Sequence, residues 1–160
     1  MPTVSLIARM SQYFNAFKVR FGPALVDSDV PGPRYYTVIF VETGLDGTGY
    51  IHQVIGDLVT GMRYDKKPTD RPERSDTFFD KTLLGRVAKS NYPAEVDRVC
   101  QAQPAPPRQK AFNRQTMKTE PIKSNGSFYG PGDSRPRLIK CTEWTENQAI
   151  PALRRNGLLL

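Results

Sequence analysis

Apolar residues recur near the start of the chain at Ile7, Met10, Phe14, Phe17 and Phe21, at spacings of 3, 4, 3 and 4. That period places them along one side of a helix, with Arg9, Ser11, Gln12, Asn15 and Lys18 on the polar side. Gly22-Pro23 would end it. The pattern predicts an amphipathic N-terminal helix over residues 1–22, with its aromatic stripe packed on the rest of the molecule. A mitochondrial transit peptide, also amphipathic and free of acids, is the competing reading. Only three bases in the first 26 residues, and so aromatic a stripe, favour packing.

The period then changes. Tyr35 to Glu42 (YYTVIFVE) is rich in β-branched and aromatic residues and predicts a strand. Turn residues follow (TGLDGTG), then a second strand at Tyr50–Ile55 and a third at Leu58–Tyr64. Gly56-Asp57 between them suits a two-residue hairpin, a register that would set His52 opposite Gly61. Residues 65–76 are polar and broken by Pro, which predicts an exposed loop, and a fourth strand is expected around Thr82–Ala88. Asn91 to Gln103 reads as a helix, with Pro93 where the first turn tolerates it and Glu95 and Asp97 near its positive end. A last helix opens near Cys141, has Trp144 as a core anchor and stops at Gly157. Pro151 should kink or split it, because it removes the bond to the Asn147 carbonyl.

These elements predict an α+β fold, a small, mostly antiparallel sheet packed by two or three helices. With 160 residues, one domain over 23–160 is expected, preceded by the 1–22 helix. Inside it lies a long Pro-rich stretch, 104–137, with six Pro and three Gly. A stretch that long without periodicity is expected to wrap the sheet, order on a partner or hang loose.

Charge changes the picture of the surface. The net +7 is uneven: +3 over residues 1–26, −4 over 27–65 and +5 over 104–137. The excess of bases therefore sits in two appendages around an acidic sheet region. No run of 18 apolar residues exists, so no membrane span is expected. One His and two Cys cannot build a Cys/His zinc site, and no phosphate-cradling Gly loop precedes a helix, so neither metal nor cofactor is expected. The sparse Cys and the lack of a secretory signal point to an intracellular, cytoplasmic protein, with mitochondria as the alternative compartment.

The one pair of residues that invites chemistry is His52 and Cys141. A nucleophilic Cys needs a lowered pKa, which a helix start and a nearby imidazole supply. Cys141 stands at the predicted helix start and His52 on a central strand. Gln53, Thr60, Tyr64 and Asp65 are the candidates for orienting the imidazole. The plainer reading is a buried, inert Cys and a hydrogen-bonded, half-buried His.

The order of strand, His-bearing strand, strand, long connection and Cys at a helix start resembles circularly permuted papain-like enzymes, among them the lecithin:retinol acyltransferase-like proteins. The tail Cys141-Thr142-Glu143-Trp144, its apolar helix and Asn156-Gly157-Leu158-Leu159, with Tyr50-Ile51-His52-Gln53-Val54 earlier, is similar to small fungal proteins that carry a C-terminal Cys-x-x-Trp helix. The permuted-enzyme resemblance implies Cys141 as nucleophile, His52 as general base, and acyl or amide transfer or hydrolysis on a small molecule or peptide. The chain departs from it at Lys140, where those enzymes carry Asn, and at Pro151.

Two function classes follow. The first is a non-catalytic interaction protein that meets a protein partner or a second copy through the aromatic helix, the basic 104–137 segment and the apolar Leu158-Leu159-Leu160 tail. The second is the Cys–His enzyme. Nucleic acid ranks behind a protein partner, because the basic stretch holds Phe112, Phe128 and Tyr129 without a strand platform on which bases would stack.

Overall fold

A computed structural model describes residues 12–22 and 34–160. A five-stranded antiparallel sheet forms the centre, in the order β4-β3-β2-β1-β5. Its strands are β1 (Tyr13–Phe21), β2 (Tyr36–Glu42), β3 (Gly49–Asp57), β4 (Gly61–Thr69) and β5 (Phe78–Ala88). One helix, α1 (Ala94–Ala102), follows β5. A second, α2, runs without a break through Cys141–Glu143, a π-helical stretch Trp144–Ala149 and Ile150–Arg155. A separate hairpin pairs β6 (Lys110–Asn113) with β7 (Lys118–Pro121). The expected α+β class is what the chain forms.

The predicted N-terminal helix is replaced over Tyr13–Phe21 by an inner strand held between β2 and β5; Ile7 and Met10 lie outside the described residues. The 3-and-4 spacing that reads as a helix stripe also fits a strand buried on both faces. Residues three apart point to opposite faces and residues four apart to the same one. Phe14 packs with Ala16 into the larger core, while Phe17 and Phe21 pack with Val19, Val38, Phe40 and Ile51 on the other side.

The helices cover one face of the sheet. Val96, Val99 and Cys100 of α1 and Trp144, Ala149, Ile150 and Leu153 of α2 meet Ile39, Val41, Val54 and Val87 there. Trp144 is fully buried, as a core anchor should be. The π-helical stretch ends two residues before Pro151, so the widened turns lie where the Pro ring would crowd the Asn147 carbonyl. The helix is thus modulated rather than broken. Gly157, at φ +70°, closes it, and the Leu158 N–H reaches back to the Leu153 carbonyl at 3.0 Å.

Two residues of the apolar tail pack in the core, and the third lies exposed along the sheet edge. Leu158 and Leu159 are buried, and Leu160 exchanges two 3.0 Å backbone hydrogen bonds with Arg86 on the outer edge of β5. The expected Gly56-Asp57 turn is also displaced. Both residues belong to β3, and Leu58-Val59-Thr60 make the bend, capped by Asp57 Oδ1, which accepts from the Val59 and Thr60 amides at 2.9 and 2.8 Å. His52 therefore pairs with Lys66, not Gly61. The 104–137 stretch is not structureless. The Leu58 carbonyl accepts from the Gln109 and Lys110 amides at 2.7 and 3.0 Å, Met62 donates to the Pro106 carbonyl, and β6–β7 follows.

Candidate functional site

His52 of β3 is fully buried on the helix-covered face, paired with Ile39 of β2. Both of its ring nitrogens are engaged. Nδ1 lies 2.5 Å from the Tyr64 hydroxyl and Nε2 lies 2.8 Å from the Tyr92 hydroxyl. Tyr64 spends its single proton on Asp97 Oδ1, at 2.7 Å. Its oxygen is left to accept, so Nδ1 carries the imidazole proton and Nε2 accepts from Tyr92. Asp97 in turn takes Lys66 Nζ at 2.6 Å. The chain Lys66–Asp97–Tyr64–His52–Tyr92 thus ties β3 to β4, to the start of α1 and to the residue two before it.

Electrostatics match that geometry. Burial pushes the His52 pKa down to about 4, with Asp97 opposing and Lys66 reinforcing the shift. Burial likewise pushes the Tyr64 and Tyr92 phenols well above their usual value, so both stay protonated as donors. Cys100 lies beside this chain, its thiol pushed up to about 12 by burial first and by Asp97 second. Tyr64 was one of the residues legible as an orienting partner. Tyr92 and Asp97 were missed, because one reads as an apolar helix position and the other as a charge at a helix start.

Cys141 stands elsewhere. It is the first residue of α2, a helix tied to β2 and the residue before it by three hydroxyl bonds: Thr142 Oγ1 donates to the Tyr35 carbonyl at 3.2 Å and meets Thr37 Oγ1 at 3.0 Å, and Thr145 Oγ1 donates to the Thr37 carbonyl at 3.2 Å. Glu143 caps this end, accepting from the Lys140 amide at 3.0 Å and from Arg34 at 2.7 Å. Cys141 borders a cleft of about 420 Å³ between the β3–β4 bend, the β6–β7 hairpin and the start of α2, with Tyr36, Gly56, Met62 and Thr119 among its walls.

No hydrogen bond joins His52 and Cys141, because both imidazole nitrogens are taken by Tyr64 and Tyr92. The cleft opens at Gly56, four positions along β3 from His52, which is roughly 13 Å at the usual strand rise. Among the described residues no cluster of His, Cys, Asp and Glu has the makings of a metal site. None of their helices is long and apolar enough to cross a membrane.

The 104–137 segment carries the largest net positive charge along the chain, +5. Gln109 clamps its base, donating to the Ile139 carbonyl and accepting from the Ile139 amide, both at 2.8 Å. Asn113 and Thr116 bond Glu120 across the hairpin at 3.0 Å each. Arg108, Arg114 and Arg137 are exposed and make no ion pair among the described residues, and Phe112, on β6, is 53% exposed.

Residues 24–160 match the model of a family of unknown function (DUF6540). No curated protein and no solved structure matches the chain.

Proposed function

Since the chain belongs to the DUF6540 family, of unknown function, we propose a reading from the geometry alone: a non-catalytic interaction protein that binds an acidic protein partner through the basic 104–137 segment. The observation that carries it is the anchored β6–β7 hairpin and its flanks, which hold the exposed Arg108, Arg114 and Arg137, unpaired among the described residues, in the same segment as the exposed Phe112. Exposed bases are available to an acidic surface, and an exposed aromatic in the same segment adds contact area of the kind interfaces use. The first 11 residues and the apolar tail are not needed for this reading.

The test is binding of poly-L-glutamate, followed by fluorescence anisotropy across a salt series. Charge reversal at Arg108, Arg114 and Arg137 together is expected to weaken binding by at least about tenfold at low salt. No saturable binding at low salt, or binding indifferent to those three changes, overturns the reading. A short single-stranded oligonucleotide bound more tightly than poly-L-glutamate would turn it toward nucleic acid.

The second reading is a hydrolase or an acyl or amide transferase with Cys141 as nucleophile and His52 as general base. Its support is Cys141 standing first in α2 at an open cleft. It requires His52 to leave both tyrosines, or another group to take the proton. An activated acyl ester that acylates Cys141 in wild type but not in His52→Gln would establish it; acylation equal in both would remove it.

A further inference from the structure

The sheet face turned away from the helices holds a larger cavity than the cleft at Cys141. It has a volume of about 540 Å³, within the range of about 300–1,000 Å³ typical of small-molecule sites. We propose that this cavity binds a small molecule with a flat apolar body and a single anionic head group, a carboxylate or a phosphate.

Its apolar side is built from the second core. Phe21 of β1, Tyr36 of β2 and Ile51 of β3 line it, and they pack with Val19, Val38 and Phe40. The Tyr36 hydroxyl is occupied, donating to Gln53 Oε1, while Gln53 donates to Asp65 at 2.9 Å. The ring is therefore pinned in place and offers the ligand its apolar surface. This floor gives an apolar body somewhere to go but does not choose its charge.

The rim chooses the charge. Lys67, Arg71 and Arg74 line the cavity against one carboxylate, Asp70. Lys67 makes no ion pair among the described residues, the Arg71–Glu73 pair is long at 3.8 Å, and Arg74 is 3.4 Å from Asp70. Such loose, exposed pairs contribute little to stability, so their cations turn to a ligand at small cost.

Arg71 is also held in position. Gly47, in the β2–β3 turn at φ +89°, leaves room that the Arg71 side chain fills: a Cβ there would meet Arg71 Nε at 2.9 Å and Cγ at 3.0 Å. A cation set by the turn beneath it loses less freedom on binding than a free one. Apolar floor, unbalanced rim and placed guanidinium together point to one ligand class. The site lies on the opposite face from His52 and does not involve the hairpin, so it stands or falls independently of the function proposed above.

The probe is 2-naphthoate, titrated by calorimetry into the full chain beside its neutral analogue 2-naphthylmethanol and beside acetate. Saturable 1:1 binding of naphthoate is expected, at least about tenfold tighter than either control. Both Lys67→Glu and Arg71→Glu should weaken it by about tenfold, with Arg114→Glu, on the hairpin, leaving it unchanged. Both rim side chains are exposed, so the variants are expected to keep the wild-type circular dichroism and melting midpoint. No saturable binding at about 1 mM overturns the proposal. So does equal affinity for acid and alcohol, equal affinity for acetate, or indifference to both charge reversals.

Discussion

His52 shows how a single side chain's surroundings decide what it does. A neutral imidazole that donates through Nδ1 and accepts through Nε2 is fully satisfied, and its two partners are themselves fixed by Asp97 and by burial. Stability should record this. Folded His52 has a pKa of about 4 against 6.5 for the unfolded group. Above pH 6.5 neither state holds the extra proton, so His52 adds no pH dependence there. As pH falls from 6.5 toward 4, the unfolded chain takes up a proton that the folded one refuses, and stability drops. The loss levels off below pH 4, at about 3 kcal/mol. Urea unfolding at a series of pH values should show this slope, and His52→Gln should remove it while lowering stability throughout. Tyr92→Phe leaves Nε2 buried without a donor and is expected to cost about 1–3 kcal/mol at pH 7, read from the urea midpoint.

At the scale of elements, the outer edge of β5 is the most informative. Gly85 has φ +148°, and a Cβ there would meet the Leu160 carbonyl oxygen at 2.2 Å. Both the backbone conformation and the close approach of the tail require Gly at that position. Gly85→Ala should therefore detach the tail, and Leu159→Ala should cost about 2–5 kcal/mol, because Leu159 is buried in the larger core. If the tail were a free interaction arm, neither change would move the unfolding midpoint. β1, by contrast, is an inner strand with apolar layers on both faces: Phe14 and Ala16 meet the larger core, while Phe17, Val19 and Phe21, alternating with Lys18 and Arg20, meet the smaller one.

For the whole molecule, the relevant contrast is between its two thiols. Cys100 is sealed between α1 and the sheet, while Cys141 borders a cleft. A maleimide should label Cys141 by local access. Cys100 should react only through global opening, at a rate that rises with urea as the unfolded population does. Mass mapping over time checks this, and equal rates at the two thiols in native buffer would contradict this packing. Charge is likewise distributed over the molecule as the sequence shows it: bases cluster on 104–137, and Lys18, from the other basic region, is drawn to Glu146 at 3.1 Å.

The legible part of this protein was what neighbours along the chain dictate. β2 and α1, the end of α2 at Gly157 and the α+β class follow from β-branched runs, helix-start charges and a C-terminal Gly, each a local preference. The 13–21 segment reads as a helix because a 3-and-4 spacing suits either a helix stripe or a strand with two buried faces. Only the presence of β2 and β5 on either side selects the strand. The β3–β4 register depended on Asp57 capping the bend with its side chain, which a count of turn residues does not reveal. His52 and Cys141 were visible as residue types, but whether they meet is set by contacts between segments far apart in sequence. Tyr64, Tyr92 and Asp97 claim the imidazole, and Thr142 and Thr145 pin the thiol's helix to β2. Local chemistry determined the elements and the charge map. Only the tertiary structure decided which faces are covered and which side chains keep company, because burial and hydrogen bonding depend on what the rest of the chain brings alongside.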